Sequence, residues 1–143
     1  MKKLLITGMI GIAFITSSFT TPKSENSTVP KEFNKLIATK QVTWKITDQF
    51  KKASLIEGGE KIEIFYSNDG NLIGTSKYFA YDKLPKSAIR NISLNYAYPE
   101  HNLIECIVFE SADHEINYYV SLQKGNNQVN LKINEFGSVE EFQ

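Results

Sequence analysis

Two histidines, one cysteine and a few close pairs of carboxylates are the residues of this 143-residue chain whose types could carry out chemistry. A metal site needs several imidazole, thiolate or carboxylate ligands held together, and His101, His114 and Cys106 are the only soft or borderline ligands available. His101 follows Pro99-Glu100 and His114 follows Asp113, both in predicted turns where a solvated imidazole is expected. Cys106 lies in Leu103-Ile104-Glu105-Cys106-Ile107-Val108-Phe109, apolar at both alternating sets of positions as in a central strand, so a buried structural thiol is expected. As the sole cysteine it cannot form an intramolecular disulfide. Glu57 with Glu60, or Glu140 with Glu141, could act as acid and base, but in turn or edge segments such pairs read as solvated charge. No nucleophile elbow or cysteine-protease signature surrounds any serine or the cysteine, and Gly58-Gly59 lacks the lysine and helix of a phosphate loop. The expectation is a protein that is not an enzyme and takes no metal or cofactor.

Aromatic residues offer a different chemistry, that of recognition. Seven Tyr, nine Phe and one Trp are many for this length, and most belong in a core, since aromatic side chains favour strands and pack between sheet and helix. Trp44, in line with Val42 and Ile46, and Tyr118, in line with Ile116, Val120 and Leu122, are read as core. Phe65 alternates with Glu63 and Lys61, and Tyr119 with Asn117, Ser121 and Gln123, so both are predicted to project from the polar face beside Lys45, Lys52 and Lys132. Those five residues form the candidate partner-binding set, because an exposed aromatic among polar neighbours is a common component of protein interfaces. The competing reading is cross-strand aromatic pairing that stabilises the sheet and recognises nothing.

Residues 1–21 have the three-part layout of a secretory signal: Lys2 and Lys3, an apolar run from Leu4 to Ile15, then small polar residues. The apolar run is too short to favour a membrane-spanning helix, and no cysteine lies nearby to accept a lipid. An exported protein, periplasmic or extracellular and with no stable membrane insertion after cleavage, is therefore predicted. Without Lys2 and Lys3 the 16 basic residues fall to 14 against 16 acidic ones, a net charge of about −2. Such a chain has no basic field for nucleic acid to recognise. Residues 22–28 read as a flexible leader, and residues 29–143 as a single domain of ordinary size.

Within that domain one order of elements is written twice. Val29, Phe33, Leu36 and Ile37 form a helical stripe opening on Pro30-Lys31, and Leu84, Ala88, Ile89, Ile92 and Tyr96 form another opening on Pro85-Lys86. After the first stripe, predicted strands run over Val42–Ile46, Phe50–Ile56, Lys61–Tyr66 and Leu72–Tyr81, with a hairpin at Asn68-Asp69-Gly70-Asn71. After the second come Leu103–Glu110, Ile116–Gln123, Val129–Ile133 and a last short strand beyond Gly137. The expected architecture is α+β: a tandem repeat (29–82 and 83–143) of one helix plus an antiparallel sheet of about four strands, with the helices packed on one sheet face.

Trp44 in Val-Thr-Trp, the Asp69-Gly70-Asn71-Leu72 turn, Lys83-Leu84-Pro85 and Tyr118-Tyr119-Val120-Ser121-Leu122 resemble the small secreted bacterial proteins known as PepSY-like or beta-lactamase-inhibitor-like (BLIP-like). The likeness runs from about Val29 to the C-terminus. It departs at Ile37-Ala38-Thr39-Lys40-Gln41, where many members have a Tyr-Pro step. The resemblance implies a non-catalytic protein that binds another protein through its open sheet face and hairpin loops, and in its sharpest form an inhibitor or regulator of a secreted or envelope enzyme. The alternative is a carrier or sensor of a small apolar ligand, held in a pocket between helices and sheet lined by Phe33, Ile37, Trp44 and Ile92.

Overall fold

The computed structural model describes residues 41–142. The predicted signal segment, leader and first helical stripe lie outside the described residues. Eight strands follow: β1 (Thr43–Ile46), β2 (Lys51–Glu57), β3 (Glu60–Tyr66), β4 (Leu72–Tyr78), β5 (Asn102–Ser111), β6 (Ile116–Lys124), β7 (Asn127–Asn134) and β8 (Val139–Phe142). A 3-10 turn (Tyr81–Lys83) and one α-helix, α1 (Lys86–Asn95), separate β4 from β5.

The strands lie where hydrophobic alternation placed them, but the expected tandem repeat is not what they build. Hydrogen bonding runs through them in sequence order as one eight-stranded antiparallel sheet, and α1 is the single α-helix among the described residues. The pairing that overturns the repeat is β4 with β5, in which Gly74 faces Ser111 and Tyr78 faces Ile107. That ladder joins the last strand of the supposed first copy to the first strand of the second, so the helix is a crossover within one sheet and does not start a new one. Tight turns make the other connections, helped at Gly58-Gly59, Gly70, Gly125 and Gly137 by left-handed backbone.

The chain divides into two compact units, and each has its own core. One comprises residues 79–106 and 117–142. Ala88 and Ile92, one turn apart on α1, are buried with Leu84, Cys106, Val120, Leu122, Leu131 and Ile133. Phe79 and Tyr118 pack at that cluster with ring centroids 4.8 Å apart. Burial, followed by the Glu105 charge, pushes the Cys106 thiol up to about 12, which keeps it protonated and inert. The β7–β8 turn sits against the start of the helix: a Cβ added to Gly137, whose φ is +83°, would fall 2.0 Å from Ser87 Oγ and 2.9 Å from Pro85 Cβ. Only glycine allows that approach. His101 is not the solvated turn histidine expected. It is 7% exposed, because its ring meets Tyr96, just past the helix end, edge-on at 5.4 Å.

The other unit comprises residues 41–78 and 107–116. Ala53, Leu55, Ile64 and Tyr66 are buried on one face, with Val42, Trp44, Ile62 and Leu72 partly buried against them. Trp44 meets Tyr66 at 6.1 Å between ring centroids. The Tyr66 hydroxyl is buried without a hydrogen-bond partner among the described residues, and burial pushes its pKa up to about 12. An unpaired buried hydroxyl is a standing cost, so Tyr66→Phe is expected to leave stability unchanged or raise it by about 1 kcal/mol in denaturant unfolding.

Candidate functional site

The strand registers sort the side chains of the 41–78 and 107–116 unit onto two faces. Opposite its buried cluster, three rows cross the strands. In the first, Lys45 pairs with Lys52, Lys52 with Phe65, Phe65 with Gly74 and Gly74 with Ser111. In the second, Thr43 pairs with Ser54, Ser54 with Glu63, Glu63 with Ser76 and Ser76 with Phe109. In the third, Ile56 pairs with Lys61, and Tyr78 with Ile107, where Lys61 and Tyr78 each stand one residue beyond the Ile62–Lys77 pair.

Lys45, Lys52 and Phe65 are thus brought together as the alternation required, but the expected exposure of Phe65 is corrected. Phe65 is 6% exposed, and the reason is the neighbour that β4 supplies. Gly74 has no side chain, and the Phe109 ring occupies the space above it, so close that a Cβ on Gly74 would lie 2.4 Å from Phe109 Cζ. Phe109 meets Phe65 at 5.8 Å from one side and Phe50 meets it at 5.7 Å between ring centroids, while Lys52 Nζ lies 5.8 Å from the Phe65 ring centre. Phe50 is held at the β1–β2 turn by Thr47, whose Oγ1 accepts from the Phe50 amide at 3.1 Å. An aromatic covering a strand glycine is a recognised device for stabilising a sheet. Phe65 is therefore the floor of this face.

Above that floor lies a small ion network. Glu63 Oε1 accepts from Lys52 Nζ at 2.8 Å and pairs with Lys61 Nζ at 2.9 Å, and Ser54 Oγ donates to the same oxygen at 3.4 Å. Burial alone would raise the Glu63 pKa. The lysine hydrogen bonds and charges more than offset it and hold the carboxyl below the ordinary 4.5. A depressed folded-state value means that stabilisation is present above 4.5 and is lost as pH falls through the folded pKa. The stability gap between the wild type and Glu63→Gln should therefore close as unfolding is followed downward from 4.5.

The third row is what sequence reasoning missed. Ile56 is 59% exposed and Tyr78 63% exposed, and the Lys61 side chain between them is 61% exposed. These residues sit at or next to strand ends, and their alignment across β2, β3 and β4 emerges only from the registers. Beside them an open recess of about 370 Å³ is lined by Gln41, Thr43, Ser54, Leu55, Ile56 and Lys61.

Tyr119 and Lys132, the other two sequence-predicted residues, belong to the second unit. They face each other across β6 and β7, and Lys132 faces Glu140 on β8. Tyr119 is half-buried, meets Phe142 edge-on at 5.2 Å, and has its hydroxyl pKa raised by burial and then by the Glu140 charge. Lys132 Nζ lies 3.3 Å from Glu140 Oε1, and beside them Ser121 Oγ donates to Asn130 Oδ1 at 3.0 Å. The pocket expected of a ligand carrier is not supported by the residues that can be placed. Phe33 and Ile37 lie outside the described residues, and Trp44 and Ile92 belong to two separate cores.

No protein-family model matches the sequence, and no curated protein does. Solved structures do match. A BLIP-like protein from Bacteroides fragilis aligns with a TM-score of 0.59 at 16% identity, over 78% of this chain and 79% of that one. A DUF2874 family protein from Bacteroides uniformis aligns at 0.62 and 10% identity, over 76% and 83%. A protein from Bacteroides eggerthii, provisionally assigned to the periplasm, aligns at 0.65 and 11% identity, over 80% and 88%. The chain shares their fold. The BLIP-like half of the resemblance thus has a structural counterpart, and the PepSY half has none among these three. No helix among the described residues is long and apolar enough to cross a membrane.

Proposed function

We propose that this is an exported, non-catalytic binding protein that holds another protein on the face carrying Ile56, Lys61 and Tyr78. The observation that carries the reading is that row itself: two large apolar side chains more than half exposed, flanking a lysine and beside a recess. Solvent-exposed apolar groups gathered on one face mark interaction surfaces, and tyrosine is among the side chains that dominate binding energy at interfaces. The shared fold with a BLIP-like protein supports the reading, and it makes inhibition or regulation of a secreted or envelope enzyme its sharper form. Export is supported by the signal-like residues 1–21 and by the periplasmic assignment of the Bacteroides eggerthii structure.

The test is capture from envelope extract and culture fluid by the full chain and by the Ile56→Ser/Tyr78→Ser double variant. A protein retained by the wild type and lost by the variant is expected. Identical captures by both would remove this face from the account.

A further inference from the structure

The charges of the same unit are divided unevenly between its faces. On the face with Ile56 and Tyr78, the strands carry Lys45, Lys52 and Lys61 against Glu63, a net of +2. The other carboxylates on this unit's own strand residues, Glu57, Glu60 and Glu110, fall on the opposite face with Lys51 and Lys77, while Glu105, also on β5, belongs to the other unit. The whole chain has a formal net charge of zero, so this excess comes from strand register and not from composition. Glu63 is already engaged by Lys52 and Lys61, and no ion pair is formed by the exposed Lys45 among the described residues. Thr43, whose hydroxyl can donate, lines the recess together with Ser54 and Lys61.

We infer that the partner presents an acidic segment to this face: a loop or extended stretch whose carboxylates meet the lysine excess while an apolar side chain of the same segment settles on Ile56 and Tyr78. This rests on the protein-binding reading above and adds the partner's chemistry. Complementary charge of this kind steers encounter and selects among partners, and at a solvated face it weakens as salt rises. The recess would receive one carboxylate beside Lys61, with Thr43 as a hydroxyl donor. Phe65, packed between Phe50 and Phe109, holds Lys52 against its ring, so that part of the face need not reorganise on binding.

The probe is a random copolymer of glutamate and tyrosine, with a lysine and tyrosine copolymer as control, titrated into the isotope-labelled full chain. The acidic copolymer is expected to shift the amides of residues 43–45, 52–56 and 61–63. Its affinity should fall at least tenfold in Lys45→Glu/Lys61→Glu, both exposed positions, and stay unchanged in Lys86→Glu/Lys124→Glu, also exposed. Equal binding of the two copolymers, equal loss in the two double variants, or no binding of the acidic copolymer overturns the inference. If the acidic copolymer fails to bind while protein capture still depends on Ile56 and Tyr78, the acidic partner is refuted and the face stands. If capture is indifferent to Ile56 and Tyr78, the face and the inference fall together.

Discussion

Gly74→Ala is expected to lower the free energy of unfolding by about 3 kcal/mol, at the upper end for overpacking a filled site. The new methyl would lie 2.4 Å from Phe109 Cζ and 2.9 Å from Phe109 Cε1, and 2.5 Å from the Glu110 carbonyl oxygen. A ring can rotate away, but a carbonyl fixed in the β4–β5 ladder cannot move without breaking strand pairing. The two collisions are separable. In a Phe109→Ala background the same substitution should cost about 1 kcal/mol less, because the ring clash is gone and the backbone clash remains. Chemical denaturation of the four proteins of this cycle gives the answer. The result bears on function, because Phe109 leaning over Gly74 is what buries Phe65 and levels the floor beneath Lys52 and Glu63.

The second large effect is on binding. Ile56→Ser/Tyr78→Ser should weaken partner affinity by about 100-fold, since truncating a buried interface tyrosine and an aliphatic neighbour removes roughly 1 to 2 kcal/mol each. The fold should be nearly indifferent, because both side chains are about 60% exposed and surface substitutions of this kind change stability by about 0.5 kcal/mol. A variant with unchanged unfolding and a hundredfold rise in Kd separates recognition from packing. Phe65→Ala cannot make that separation, since a 6% exposed ring touching Phe50 and Phe109 supports the sheet as well as the surface.

Much of the architecture was legible in the residues, and the reasons are local. Ile62, Ile64 and Tyr66 against Lys61, Glu63 and Phe65 can only be a strand with two unlike faces, and Asn68-Asp69-Gly70-Asn71 can only turn the chain, with Gly70 at φ +89°. Leu84-Pro85-Lys86 opens α1 as expected, with Pro85 just before its first residue. What failed depended on partners distant in sequence. A repeat of helix and strands looks the same in a one-dimensional pattern whether β4 and β5 are apart or hydrogen-bonded, and only the Gly74–Ser111 register decides it. The burial of Phe65 is of the same kind, because alternation assigns it correctly to the polar face while its exposure is set by a glycine on β4 and a phenylalanine on β5. The burial of His101 escapes the local pattern because its covering ring, Tyr96, stands just past the end of α1 and outside the turn that holds the histidine. Ile56 and Tyr78 were read as strand residues without a role, since only cross-strand registration aligns them with Lys61.

The central claim is that the face bearing Ile56, Lys61 and Tyr78 is where a partner protein sits. Site-specific photo-cross-linking tests it most directly, with a photoreactive phenylalanine analogue placed at position 78 or, on the helix, at the equally accessible position 94, where Leu94 is 77% exposed. The account predicts a discrete protein adduct from position 78 and none from position 94. An adduct from position 94 with none from position 78 would contradict it.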